Sequence, residues 1–136
     1  DQRVEIPDNA SLDLTNGVTL EAWIAPSQVG EATNGTTIIT KGDLTSFSNQ
    51  PYGLLYGSNG RIAMRVGNTT TFEAAESTSV LPLNTFSHVV GSYDGNVIRI
   101  YVNGVLENST TVSIGAMVTN NLPVRIGANN LSGYVG

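Results

Sequence analysis

Apolar residues recur at every second position through much of this chain. The clearest run covers residues 18–25, where Val18, Leu20, Ala22 and Ile24 share one face while Thr19, Glu21 and Trp23 share the other. A period of two is the signature of a strand with one buried side. The same alternation marks residues 61–66, with Ile62, Met64 and Val66 inward and Arg65 outward. The block of residues 86–106 carries the strongest local signals. Asp94-Gly95-Asn96 and Asn103-Gly104 separate three β-rich runs at 86–93, 97–102 and 105–107. Asp-Gly and Asn-Gly suit the tight hairpin turns that need positive φ, so the block reads as an antiparallel meander.

Shorter strands are predicted at 3–6, 37–40, 52–56, 72–75, 112–114 and 124–126, and another begins at Tyr134-Val135. Residues 11–16 form a loop or a single helical turn in which Leu12 and Leu14 plug the sheet. Residues 27–35 and 41–50 are long polar loops, and Val80-Leu81-Pro82-Leu83 packs across a rim. No amphipathic run of three helical turns interrupts the pattern. About ten short strands punctuated by turns define an all-β protein, with two facing antiparallel sheets favoured over a single barrel.

Composition narrows the partners. The 136 residues suffice for one domain with a real core. Six basic residues, only one of them lysine, stand against 11 acidic ones, for a net charge of -5. Phosphate backbones are bound by clustered Lys and Arg, so nucleic acid is excluded as a partner on this reading. No apolar run is long enough to span a bilayer. There is no cysteine, which removes disulfides and thiolate metal sites, and the Asn-, Thr- and Gly-rich composition suits an extracellular or cell-surface setting. The abrupt, strand-like start at Asp1 fits an excised or processed piece.

The string FSHVVGSYDGNVIRIYVNGVLE at residues 86–107 resembles the signature of laminin G-type modules of the concanavalin A-like class. There a Trp/Phe-x-His-Val stretch leads through Tyr-Asp-Gly to Tyr-Val-Asp/Asn-Gly. VEIPDNASLDLTNGVTLEAWIAP at 4–26, IITKG at 38–42 and LPVRIGANN at 122–130 fit in the same order, so the resemblance covers nearly the whole chain. It implies a two-sheet antiparallel jelly-roll β-sandwich occupying residues 1–136 as a single domain. Relative to that pattern, the first strand and the closing Ile-Asp-Glu-Val-Arg-Ile-Tyr strand are missing, so the domain reads as incomplete at both ends. The expected consequence is an exposed apolar gap and an unpaired sheet edge, completed by a strand from a second polypeptide.

The candidate chemistry favours binding over catalysis. His88 is the only histidine, which removes multi-histidine metal sites and leaves a single possible general base. It stands at the position of a structural strand histidine in the resemblance. Family glucanases carry a Glu-x-Asp-x-x-Glu strand motif, and Glu73 with Glu76 does not match it. Carbohydrate recognition instead uses an aromatic platform with amides, carboxylates and arginines around it. The 41–50 loop offers Asp43, Phe47, Asn49 and Gln50, followed by Tyr52; outward strand positions offer Arg65, Arg99 and Tyr101; the last Asn-rich stretch offers Asn129. Tyr52 and Tyr56 have a second reading, as core residues with a polar tip at the edge. Trp23 is expected to pack in the core or between sheets.

The resemblance also implies calcium, a hard cation that takes carboxylate and carbonyl oxygens. Asp43 and Asp94 are the candidate ligands. The function expected is a non-catalytic carbohydrate-binding module of a secreted or surface, bacterial multidomain protein that binds a polysaccharide or glycan. The alternative is a structural or adhesive module completed by a partner strand.

Overall fold

The structure is a computed structural model, and it describes residues 3–30, 35–43, 46 and 49–127. Ten strands follow in chain order: β1 (Val4–Ile6), β2 (Val18–Ile24), β3 (Thr36–Lys41), β4 (Tyr52–Tyr56), β5 (Ile62–Gly67), β6 (Phe72–Glu76), β7 (Ser87–Tyr93), β8 (Val97–Val102), β9 (Val105–Thr111) and β10 (Val124–Ile126). All pairings are antiparallel. One sheet has the order β1-β10-β3-β4-β5-β6 and the other β2-β7-β8-β9. The two stack face to face as a jelly-roll sandwich.

The core follows from the alternation. Val18 and Leu20 of β2, Val89 and Tyr93 of β7, and Ile98, Ile100 and Val102 of β8 face Ile38, Leu54, Ile62, Met64 and Val66 of the larger sheet. Gly91 belongs to this layer; a Cβ there would lie 2.9 Å from Met64 Cβ and 3.0 Å from Leu54 Cδ1. The meander turns form as predicted. Asp94 Oδ1 accepts the N–H groups of Asn96 and Val97. Asn103 and Gly104 both have positive φ, 49° and 81°. Asn103 also closes a ring with β7: its N–H donates to His88 O, and its Oδ1 accepts from His88 N–H.

Several expectations change. β9 runs for seven residues, because Asn108 to Thr111 continue the ladder on β8 past a bulge at Ile100/Tyr101. Residues 112–114 form no strand, yet Val112 and Ile114 are buried in the core. The 11–16 segment contains a 3₁₀ turn at Ala10–Leu12, capped by Asn9. The expected strand at Tyr134-Val135 lies outside the described residues.

Lys41 closes one end of the sandwich. Its side chain is fully buried, and its ammonium donates to Asp8 Oδ1 at 2.5 Å, Leu122 O at 2.7 Å and Asn120 O at 3.0 Å. Asp13 Oδ1 stands 3.7 Å away. One side chain thus ties the segment before β2 and the segment before β10 to the end of β3.

Candidate functional site

Three of the sequence-derived candidates lie on outer faces of the sandwich: Arg99 and Tyr101 on the four-stranded sheet and Arg65 on the larger one. Arg99 and Tyr101 lie on the outer side of β8. Register places Tyr101 across from Val90, which faces Glu21, and Arg99 across from Ser92, which faces Thr19. One row along, Trp23 is directly opposite His88, and the two rings lie 5.1 Å apart at a 34° tilt. Glu21 Oε2 is 3.5 Å from His88 Nε2.

Trp23 is 66% exposed and Phe86, two residues before His88, is 70% exposed. The expectation that Trp23 packs in the core is therefore corrected. The alternation of β2 puts residue 23 on the outer side with Thr19 and Glu21, and pleat geometry outweighs the indole's preference for burial. Trp23, Phe86 and Tyr101 thus sit on or beside the outer face of this sheet, edged by Glu21 and His88.

Arg99 is committed to the turn before it. Its Nη1 donates to Asp94 Oδ2 at 2.6 Å. That bond, followed by the N–H groups of Val97 and Asn96, holds the Asp94 carboxyl at about 2. Asp94 is thus tied to its own turn through Oδ1 and to Arg99 through Oδ2. Among the described residues no group of three or more acidic or histidine side chains clusters as a metal site.

The depressed pKa sets a pH prediction. Asp94 titrates lower in the folded chain than its ordinary 3.8. Its contribution to stability is full above that value and is lost as pH falls towards 2. Asp94→Asn should flatten this acid limb in thermal melts taken between neutral and acid pH. The difference from the wild type should shrink with added salt, because the pair is exposed.

Of the remaining candidates, Tyr52 and Arg65 belong to the larger sheet, and Asp43, Asn49 and Gln50 lie between β3 and β4. Tyr52 is corrected from ligand platform to core: it is 2% exposed and its hydroxyl donates to Leu12 O at 2.9 Å. Burial first, and then Asp13 and Asp8, push its phenol up to about 12. Tyr56 is buried likewise. Asp43 and Asn49 are half-buried and joined through Asp43 N–H to Asn49 O at 2.9 Å. Gln50 is buried, and Arg65 is half-buried on the outer side of β5 with its guanidinium 4.5 Å over the Phe72 ring. Phe47 and Asn129 lie outside the described residues.

One further feature escaped the sequence. Arg125 of β10 is buried on the same outer face as Arg65, with its Nε donating to Glu5 Oε2 at 2.9 Å. Its alternation with Val124 and Ile126 was visible, but the strand beside it was not. A cleft of about 330 Å³ lies at the edge of β2. It is lined by Ala22, Trp23, Ile24, Pro26, Ile38, Tyr56 and Ile126 among others. Among the described residues β2 pairs only with β7, so its other edge is open there.

This two-sheet jelly roll defines a protein of the concanavalin A-like class. The chain belongs to the concanavalin A-like lectin/glucanases superfamily: the laminin G-type family model with that description matches residues 1–135. Comparison with curated protein sequences gives no match.

Among solved structures, the chain is similar to the binding domain of Paraclostridial Mosquitocidal Protein 1 (TM-score 0.73, 11% identity), with 97% of this chain and 34% of that one covered. It is also similar to Domain 4 of AbnA, a GH43 extracellular arabinanase from Geobacillus stearothermophilus, in complex with arabinotriose. The TM-score is 0.69 and the identity 20%, over 93% of this chain and 58% of the other. CBM40 of the Ruminococcus gnavus IT-sialidase, bound to α2,3-sialyllactose, gives a TM-score of 0.68 at 13% identity, over all of this chain and 82% of that one. The chain thus spans about a third of the first of these structures and under six-tenths of the second. At these identities the likeness establishes the fold.

Proposed function

We propose that this domain is a non-catalytic carbohydrate-binding module of an extracellular protein of bacterial origin, and that the outer face of the four-stranded sheet receives the sugar. The carrying observation is the exposed Trp23 ring, braced by His88 and set beside Glu21 and Tyr101. An aromatic face covers the apolar C–H side of a sugar ring, while a carboxylate and an imidazole orient its hydroxyls. Two structures of the same fold, in complexes with arabinotriose and with sialyllactose, support the reading. A glycan-array screen of the purified chain, with and without calcium, tests it. At least one oligosaccharide should bind, and Trp23→Ala should weaken that binding by roughly tenfold. An empty array under both conditions would refute the reading. A requirement for calcium would direct attention to Asp43.

A second reading is favoured by the cleft beside β2. Its apolar lining, and a β2 edge with no partner among the described residues, suit an added strand with alternating apolar side chains, supplied by a second polypeptide. Intact mass under native and then denaturing conditions distinguishes the two states. A peptide that dissociates on denaturation supports completion in trans, and a lone monomer refutes it.

A further inference from the structure

Among the described residues, four polar atoms on the outer side of the larger sheet and in the residue leading into it are buried without a hydrogen-bond partner: Thr37 Oγ1, Gln50 Nε2, Arg65 Nε and Arg125 Nη1; Tyr56 Oη is a fifth, on the core side. Three of them are N–H donors. Buried donors are almost always paired, and leaving one unpaired is costly, so four such atoms in one region call for an explanation.

Register and the gap at Gly53 place the three N–H donors along one row. Arg125 is across from Thr40, Thr40 from Gly53 and Gly53 from Arg65, all on the side away from the core. Gly53 contributes no side chain, and Gln50 occupies the vacant place. Its Nε2 lies 3.0 Å from the point a Cβ on Gly53 would take, and Thr40 Oγ1 lies 3.2 Å from the same point. Paired strand residues hold their Cβ atoms roughly 5 Å apart, so Gln50 fills the side-chain place next to Arg65 in the row.

The charges on this row are unevenly met. Glu5 takes Nε of Arg125 and leaves Nη1 unpartnered. Arg65 rests on Phe72, and burial lowers its pKa because a desolvated cation is disfavoured, against a smaller opposing pull from Glu76. The row is closed around Thr40 and Gly53 and opens towards β6, where Phe72 and Ala74 are exposed. A ligand entering from that margin meets Phe72 first, then Arg65, then Gln50.

We infer that this row is a receptor for the carboxylate of an acidic sugar residue, held between Arg65 Nε and Gln50 Nε2 with the sugar ring at the Phe72 margin. A carboxylate offers only acceptors and a negative charge, which complements this arrangement of donors. The inference rests on the carbohydrate-binding reading but not on the Trp23 face, which belongs to the other sheet.

The test is calorimetric titration of the whole chain with trigalacturonic acid and with 3′-sialyllactose. Their neutral counterparts, galactotriose and lactose, serve as controls, and the two acids separate a uronate from a sialate source. Variants are Arg65→Gln, Gln50→Leu and Trp23→Ala. One acidic sugar should bind at least about tenfold more tightly than its neutral counterpart, and Arg65→Gln should abolish that preference. Trp23→Ala should leave it intact. The melting temperature of Arg65→Gln should stay level or rise, since burial penalises the guanidinium and its Nε has no partner; a structural arginine would lower it. Where Arg65→Gln compromises folding, Gln50→Leu carries the test without a change of charge.

Equal binding of acidic and neutral sugars would overturn the inference, as would full acidic binding by both Arg65→Gln and Gln50→Leu. No binding of either acid would overturn it too. Neutral glycans that still bind through Trp23 would leave the broader reading standing, whereas an array empty of all glycans would remove both.

Discussion

Asp8→Ala should cost about 3 kcal/mol and lower the melting temperature by roughly 10 °C, although Asp8 is a partly exposed loop residue. The reason lies in its partner. Lys41 is fully buried, and Asp8 is its nearest carboxylate at 2.5 Å, with two carbonyls completing the shell. Removing Asp8 leaves a buried ammonium whose remaining acid is Asp13, 3.7 Å away and without a hydrogen-bond partner of its own on Oδ1. Asp13 can move in and recover part of the loss, so the double variant Asp8→Ala/Asp13→Ala should lose more than Asp8→Ala alone. Lys41→Met removes the charge and keeps most of the volume, and should cost less than either. Urea unfolding of the three variants checks the order. If Lys41→Met proves the most damaging, the ion pair itself is stabilising and the orphaned-charge account is wrong.

Gly42→Ala is expected to be comparably severe, at about 3 kcal/mol or more. Gly42 has φ of +85°, and a Cβ there would lie 1.7 Å from Asn49 O and 2.9 Å from Asn120 Nδ2. The strain of the backbone conformation alone is about 1–3 kcal/mol. The carbonyl of Asn49 cannot give way freely, because it accepts from Asp43 N–H at 2.9 Å and Asn120 Nδ2 at 3.0 Å. Each of those bonds contributes about 1 kcal/mol. The damage should reach function as well. Displacing Asn49 moves its neighbour Gln50 off Gly53, so Gly42→Ala should lose the preference for acidic sugars at temperatures where it remains folded. Denaturant unfolding and the same acidic-sugar titration measure the two effects separately.

The fold was legible wherever the cause was local. Asp94-Gly95 and Asn103-Gly104 announced their turns because few residues tolerate positive φ, and residues 18–25 announced a strand because alternation sorts side chains by face. The same alternation placed Trp23 outside, against the expectation from its size. Local signals weakened where neighbours decide. Asn108 to Thr111 carry little apolar character and are strand because β8 offers a ladder to pair with. Val112 and Ile114 fill the core without one. For the sites, Arg65 was readable as an outward residue, whereas Arg125 became relevant only when the order β10-β3-β4-β5 placed both arginines on one row. Tyr52 stayed open between platform and core because a tyrosine in a strand reads alike whether its ring faces solvent or core; its burial settles on the core.

The burial of Lys41 also fixes how this protein can be handled chemically. It is the sole lysine of the chain, and its side chain is 0% exposed. No side-chain amine is therefore presented to acylating dyes or activated resins while the sandwich is intact, and labelling at Lys41 becomes a record of how often that end of the domain opens.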